Sequence, residues 1–274
     1  MITFPNAKIN LGLNIVERRP DGYHNIETVF FPIPLTDALE IVPSKSGNTT
    51  LNCYGRPVDC PAEKNLVMRA YRLMESHFHI PPVDIHLYKH IPDGAGLGGG
   101  SSDAAHTLIM LNDMFKLNIS VEQLASMAAT LGADCPFFIY NRPMMATGIG
   151  DIFTPVDLSL KGHTLLLIKS QVSVPTAVAY SRVTPHKPER CVDKIVALDI
   201  DEWQELLVND FEASVMTQYP ELAGIKQALI DAGASYAAMS GSGSSIFGIF
   251  NTDNVADKVS LPSDNCDIFE MKLQ

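Results

Sequence analysis

Between residues 83 and 91 apolar and polar side chains alternate. Val83, Ile85, Leu87 and Ile91 fall on one side, and Asp84, His86, Tyr88 and His90 on the other. That period of two predicts a strand with one face against a core. Leu66, Ala70, Leu73 and Met74 recur instead at helical spacing, which predicts a helix over 66–77. The same reading gives strands at 7–16, 25–31, 38–42 and 49–53, and helices at 103–115 and 120–131, the second capped by Ser120. Farther on it gives a strand at 164–168, helices at 203–216 and 220–232, and strands at 236–239, 245–250 and 266–272. Arg19-Pro20-Asp21-Gly22 marks a turn, and the prolines and charges of 184–190 mark an exposed loop. Strands and helices mixed at hairpin spacing indicate an α+β architecture rather than a doubly wound sheet.

Composition narrows the class. The 274 residues are 46% hydrophobic and 19% charged, which suits one or two well-buried domains and not a disordered chain. A net charge of −11 argues against nucleic acid as a partner, because phosphate backbones demand a basic surface. A small anion remains possible, since a few lysines and main-chain N–H groups set the local field. No apolar run reaches the roughly 18 residues of a spanning helix, and the opening residues lack the shape of a signal peptide. Cys53, Cys60, Cys135, Cys191 and Cys266 are scattered and contain no CxxC pair, so they read as reduced thiols of a cytoplasmic protein. His86 and His90 share a strand face, but without a third ligand nearby they do not make a metal site.

The most informative stretch is PDGAGLGGGSSDAA, from Pro92 to Ala105, with glycine at 94, 96, 98, 99 and 100. Without Cβ atoms, such a loop can bring main-chain N–H groups against phosphate. The helix that follows, with Ser101 or Ser102 as N-cap, would turn its positive end to the same anion. A P-loop needs lysine where Gly100 stands. The dinucleotide fingerprint belongs in a first βα unit, whereas about ninety residues precede this loop. No His-Arg-Asp or Asp-Phe-Gly follows, which excludes a protein-kinase glycine loop. Phosphoryl transfer further needs a base and a cation. Asp134, on a turn between Gly132 and Pro136, is a candidate for the first; a carboxylate in such apolar surroundings needs a partner, and Lys8, alone in an apolar strand, is the obvious one. A structural ion pair, a helix-end cap at Asp134 and a solvated edge lysine at Lys8 stand beside that reading. Ser240-Gly241-Ser242-Gly243-Ser244-Ser245, between two apolar strands, has the composition of a hairpin turn.

Together, Pro5-x-Ala7-Lys8-x-Asn10, Gly98-Gly99-Gly100-Ser101-Ser102 and Met239-Ser240-Gly241-Ser242-Gly243 resemble the three motifs of the GHMP kinases, the superfamily of galactokinase, homoserine kinase, mevalonate kinase and phosphomevalonate kinase. Arg19-Pro20-Asp21-Gly22-Tyr23-His24, Leu131-Gly132-Ala133-Asp134-Cys135-Pro136, Ala146-Thr147-Gly148-x-Gly150 and Val172-Ser173-Val174-Pro175-Thr176 extend the likeness from about Phe4 to Phe250. The Asp-Gly-Tyr-His element resembles the branch that phosphorylates the 2-hydroxyl of a CDP-linked methylerythritol in non-mevalonate isoprenoid biosynthesis. A mevalonate- or homoserine-type kinase and a non-catalytic ligand sensor of the same fold are the alternatives.

The resemblance implies a two-lobed fold with ATP and substrate between the lobes. An N-terminal lobe (1–155) would be like domain 2 of ribosomal protein S5, and a C-terminal lobe (156–274) ferredoxin-like. It implies Asp134 as base and Lys8 as the cation that holds it and the hydroxyl. Asn65 and the main chain of Lys89 would hold adenine. Pro92, Asp93, Gly94, Ala95, Gly96, Leu97, Gly98, Gly99, Gly100, Ser101 and Ser102 would bind the phosphates, with Mg²⁺ near Ser101 or Ser102 and no separate metal site. Tyr23, His24 and Tyr180 would hold cytosine, with Asn10 and Thr176 near the substrate. The loop opens with Asp93-Gly94-Ala95 where the family has a run of glycines, which makes Gly98 to Ser102 the firmer phosphate contact. The expected partners are ATP and the CDP-linked alcohol, with no nucleic acid or membrane, and the expected state is a monomer or weak homodimer.

Overall fold

The alternating segment forms a strand over Val83–Lys89, ending where Lys89 interrupts the apolar side, and the amphipathic segment forms a helix over Leu66–Phe78. The computed structural model describes residues 1–180, 182–263 and 265–274. Its strands, in chain order, are β1 (Ile2–Thr3), β2 (Asn6–Arg18), β3 (His24–Thr36), β4 (Ala38–Pro43), β5 (Thr50–Gly55), β6 (Val83–Lys89), β7 (Met144–Thr147), β8 (Ile152–Pro155), β9 (Thr164–Ser170), β10 (Tyr236–Met239), β11 (Ser245–Phe250) and β12 (Cys266–Lys272). The helices are α1 (Leu66–Phe78), α2 (Gly99–Met114), α3 (Val121–Ala129), α4 (Cys135–Tyr140), α5 (Thr176–Tyr180), α6 (Val192–Ile195), α7 (Trp203–Leu206), α8 (Phe211–Gln218) and α9 (Pro220–Asp231). The mixture, with only β5 and β6 running parallel among the paired strands described, is the expected α+β class.

Contacts gather the chain into two units. Unit 1 comprises Met1–Ala7, Leu35–Asp93 and Gly98–Arg142; unit 2 comprises Lys8–Pro34, Gly94–Leu97 and Pro143–Gln274. The sequence reading divides the chain once, after residue 155. The units interleave instead, because β2 and β3 join one sheet with β7 and β8.

Unit 1 is a sheet in the order β1-β4-β6-β5 covered by helices. Leu39, Ile41, Val83, Ile85 and Leu87 pack with Val67, Ala70, Tyr71 and Met74 of α1 and Ala104, Leu108 and Leu111 of α2. Burial of each such aliphatic side chain contributes about 1.5–3 kcal/mol, which is what holds an amphipathic helix to the sheet. Asn65 caps α1 by accepting from Val67 N at 2.9 Å, and Ser120 caps α3 in a reciprocal box with Gln123.

Unit 2 holds two sheets, in the orders β2-β3-β7-β8 and β10-β11-β9-β12. The second is antiparallel, and Leu166, Ile168, Ala237, Met239 and Ile246 pack with Phe211, Val215, Leu222, Ile225 and Leu229. The helix expected at 203–216 is broken. Leu13 N donates to Val208 O at 2.8 Å, Asp210 N to Leu13 O at 2.9 Å, and Asp210 Oδ2 accepts from Ile15 N at 2.7 Å. Those bonds, with an isolated bridge between Leu13 and Asn209, hold Val208 and Asn209 against β2, so the helix stops at Leu206 and restarts at Phe211. Among the described residues no helix is long and apolar enough to cross a membrane.

Candidate active site

Lys8 and Asn10 of the first motif, Gly96 of the glycine loop and Ser240 of the last motif meet in unit 2. Lys8, on β2, is 3% exposed, so it is no solvated edge lysine. Its Nζ donates to Asn10 Oδ1 at 2.7 Å and to Gly96 O at 2.9 Å, and lies 4.8 Å from the centroid of Phe30. Ser240 Oγ donates to the same Gly96 carbonyl at 2.8 Å, while Asn10 N donates to Ser240 Oγ at 3.3 Å. The second glycine–serine stretch is the turn of the β10–β11 hairpin, as its composition predicts. Asn209, which the sequence reading passes over, donates at 2.8 Å to both Met239 O and Gly241 O and so fixes that turn. A buried asparagine interrupting an apolar helical pattern is the signal for it.

The expected cytosine residues also belong to unit 2. The rings of His24 and Tyr180 stack with centroids 5.0 Å apart and planes at 22°, and Tyr180 meets Phe211 edge-on at 4.8 Å. Rings that already touch leave a base the outer faces and edges, not the space between them. Burial and nearby Arg18 hold the His24 imidazole below its ordinary pKa, favouring the neutral ring that both donates and accepts. Tyr23 is exposed on a turn organised by Asp21, whose carboxylate pairs with Arg19 at 2.8 Å and accepts from Tyr23 N at 3.1 Å. Thr176 is exposed, its hydroxyl 3.2 Å from that of Ser242.

In unit 1 the helix after the glycine loop begins at Gly99, not Asp103. Its N-cap is Gly98 at φ +70°, which corrects the expected Ser101 or Ser102. Glycine tolerates the left-handed conformation, so the chain enters the helix earlier and carries both serines into its first turn. The N–H groups of that turn have no acceptor earlier in the helix, the arrangement that receives phosphate. Ser102 is fully buried, its hydroxyl 3.3 Å from His106 Nδ1, whereas Ser101 is half-buried. Pro92 is buried and Asp93 exposed.

A pocket of about 170 Å³ opens beside this helix start, lined by Lys64, Asn65, Lys89, Asp93, Gly100 and Asp103 among others. The Lys89 carbonyl there accepts from Arg56 N at 2.9 Å. Its ammonium is buried, 2.7 Å from Asp103 Oδ2 and bonded also to Asp37 Oδ2. Burial works against the Lys89 charge, but Asp103 and Asp37 overcome it and hold its pKa above the ordinary value. Burial, with Asp37 alongside, pushes the Asp103 carboxyl up to about 7 against the pull of Lys89. Neither aspartate stood out in the sequence, although Asp37 is an acid set between two apolar strands.

Asp134 is half-buried at the N-cap position of α4, a short helix the sequence reading missed. It makes no side-chain capping bond, so the cap alternative does not describe it. Its neighbour Cys135 is buried, which pushes the thiol up to about 11 and makes it inert.

The comparisons with known proteins agree with this geometry. Residues 65–142 match the family described as GHMP kinases N terminal domain, and 191–261 match GHMP kinases C terminal. A 4-diphosphocytidyl-2-C-methyl-D-erythritol kinase of Bacteroides fragilis is 54% identical, over 99% of this chain and 100% of its own. One of Parabacteroides distasonis is 55% identical over 100% of both. A crystal structure of 4-(cytidine 5'-diphospho)-2C-methyl-D-erythritol kinase superposes with a TM-score of 0.81 at 34% identity, covering 94% of this chain and 93% of that one. The Methanococcus jannaschii mevalonate kinase, at 16% identity and a TM-score of 0.75, shares the fold. The chain belongs to the GHMP kinase family and is an ATP-dependent small-molecule kinase.

Proposed function

We propose that the protein transfers the γ-phosphoryl group of ATP to the 2-hydroxyl of 4-diphosphocytidyl-2-C-methyl-D-erythritol. The observation that carries this reading is full-length identity of 54% and 55% to kinases of that name. The stacked His24–Tyr180 pair supports it, since a mevalonate or homoserine site has no nucleobase to hold.

In this reading Asp134 takes the hydroxyl proton as the new O–P bond forms and the bond from the γ-phosphorus to the β–γ bridging oxygen breaks, leaving ADP. Lys8, kept in place by Asn10 and Gly96, offsets the charge that develops on the oxygens. The first turn of α2 receives phosphate, and the pocket beside it, with Asn65 and Lys89 in its wall, receives the base. Tyr23, His24 and Tyr180 hold cytosine, while Asn10 and Thr176 lie along the substrate.

Mg²⁺ fits the site as a companion of the nucleotide. Among the described residues no three His, Cys, Asp or Glu side chains gather as a cation site. A Mg²⁺ ion held mainly by phosphate oxygens needs only one or two protein oxygens. Of the two serines, Ser101 is the one whose hydroxyl is not fully buried, so it would supply such an oxygen. When bound, the cation neutralises phosphate charge.

We further propose a cytoplasmic enzyme, a monomer or weak homodimer, with no nucleic-acid or membrane partner; the five free cysteines support the compartment and the acidic charge the absence of nucleic acid.

Turnover assays test the reading. Asp134→Asn should lower kcat by ~10²–10⁴-fold with ATP affinity retained, because an amide cannot accept the proton. Wild-type kcat in that variant would place the base elsewhere. The wild type should ignore free methylerythritol, mevalonate and homoserine. Tyr180→Ala should raise KM for the CDP-linked alcohol about tenfold and leave KM for ATP unchanged, stacking on a base contributing about 1–3 kcal/mol. Efficient turnover of mevalonate or homoserine would make the protein a different GHMP kinase. Binding without any turnover would make it a sensor.

A further inference from the structure

Three charged side chains of unit 1 lie buried beneath the end of the glycine loop. Lys89 bonds one oxygen of Asp37 and one of Asp103, and both aspartates are buried, each residue 1% exposed. The second oxygen of Asp37 accepts from the main-chain N–H groups of His90, at 2.6 Å, and Ile91, at 2.8 Å. Those two residues carry the chain out of β6 and into the loop. Asp103, in the second turn of α2, has its other oxygen, Oδ1, buried without a hydrogen-bond partner among the described residues. A Cβ on Gly99, the first residue of α2, would lie 3.3 Å from Lys89 Nζ, so the ammonium also abuts the helix start. The cluster joins the exit of β6 to the entry of α2, and Lys89, Ile91, Gly100 and Asp103 all line the pocket.

A core does not need this arrangement. Buried ion clusters add no more stability than apolar side chains of similar volume, and often less. What they supply is fixed geometry, because each bond is directional and a displaced element leaves a charge uncompensated. Here the cluster sets two carboxyl groups on one ammonium, one more than pairing requires. It also leaves one acceptor unused at the wall of a pocket. An unmet buried acceptor in that place points to a donor that arrives with a ligand.

We propose that Lys89 and Asp37 are positioning residues for nucleotide binding, setting the start of α2 against the end of β6, and that Asp103 Oδ1 accepts a hydrogen bond from an N–H or O–H group of the bound nucleotide. This rests on the reading of the pocket as the nucleotide site. It assigns the side chains of Asp37, Lys89 and Asp103 a task that a main-chain contact at Lys89 does not.

The test is a graded series at position 103, read by calorimetric Kd for ATP and by steady-state kinetics. Asp103→Leu leaves Lys89 paired one-to-one with Asp37 and removes the second buried carboxyl group, so thermal unfolding should show no loss of stability. Its Kd for ATP should rise about tenfold, the loss of one charge-assisted hydrogen bond. Asp103→Asn, which keeps the shape and one acceptor, should recover most of that and bind within about threefold of wild type but measurably weaker. In both, KM for ATP should move while KM for the CDP-linked alcohol stays put and kcat changes far less. A folded Asp103→Leu variant with wild-type Kd overturns the proposal. Should that variant not fold, an unchanged Kd in Asp103→Asn overturns it equally. Gly100→Val, which fills the pocket directly, separates the two levels. If it weakens ATP and the position-103 series does not, only the cluster proposal fails. If none of the three affects ATP, the pocket reading fails and the proposal with it.

Discussion

Gly96 and Gly100 belong to the same glycine-rich run, yet a methyl group would meet very different surroundings at the two positions. At Gly96, in unit 2, the backbone has φ +74° and a Cβ would sit 2.0 Å from the carbonyl oxygen of Ser240. That glycine lets two main-chain segments close on each other, sealed by bonds from Ser240 Oγ and Lys8 Nζ to its own carbonyl. At Gly100, in unit 1, the backbone is helical and a Cβ would reach only Leu66 Cδ1, at 3.8 Å, on the lining of the pocket. One glycine is demanded by the protein's own packing and the other keeps a surface open. Composition makes them look alike because glycine is the answer both to a backbone that must touch backbone and to a backbone that must touch a ligand.

Gly96→Ala should give the largest effect and should break folding before binding. A Cβ cannot occupy 2.0 Å from a backbone oxygen, and neither segment has a flexible end to yield. Overpacking of about 1–3 kcal/mol adds to about 1–2 kcal/mol for a left-handed alanine. Thermal unfolding should therefore fall by roughly 5–15 °C. Activity should drop with it, because the shifted carbonyl is an acceptor for Lys8. An alanine variant as stable as wild type would show that the contact between Gly96 and Ser240 does not hold the loop.

That contrast also marks where the sequence was legible. Strands and helices with a clean local period were visible, as in 83–91 and 66–77, because one buried face dictates the spacing of side chains. Lys8, Asp134 and the glycine stretch from Pro92 to Ala105 stood out because each residue type is unusual in its setting, whereas Asn10 and the second glycine stretch drew attention only through the family motifs. What stayed hidden depends on partners far along the chain. Residues 203–216 read as one helix, and only their bonds to Leu13 and Ile15 interrupt it. Gly98 caps α2 ahead of two better-looking serines because the turn needs φ > 0. Asp37, Lys89 and Asp103 were invisible as a group, since no local pattern joins them. The units interleave for the same reason.

Gly99→Val sharpens the comparison from between the two extremes. A Cβ at Gly99 points inward, 3.0 Å from Ile91 Cγ2, 3.3 Å from Ile91 Cβ and 3.3 Å from Lys89 Nζ, all side-chain rather than backbone atoms but buried ones that must yield by a few tenths of an ångström. The fold should survive with about 1–3 kcal/mol lost. Displacing Lys89 also displaces the start of α2, so ATP affinity should fall by roughly tenfold, the equivalent of about 1.4 kcal/mol. Calorimetry with ATP and thermal unfolding, measured together, check this. Unchanged affinity in a folded variant would mean that the first turn of α2 does not meet the phosphates.

Gly100→Ala should give the smallest change and the most informative one, because stability and binding should move in opposite directions. Alanine in place of glycine within a helix favours folding by roughly 0.5–1 kcal/mol, and the new methyl meets no atom closer than 3.8 Å. Thermal unfolding should rise by a few degrees at most. The same methyl stands on the pocket lining, where it holds a ligand's atoms away from the N–H groups of the first turn. Loss of part of a hydrogen bond to phosphate, on the order of 0.5–1.5 kcal/mol, should weaken ATP two- to tenfold. KM for the CDP-linked alcohol should not change. A variant that gained stability and bound ATP as tightly as wild type would mean that the surface at Gly100 does not meet the nucleotide, and the distinction between the two ends of the loop would collapse.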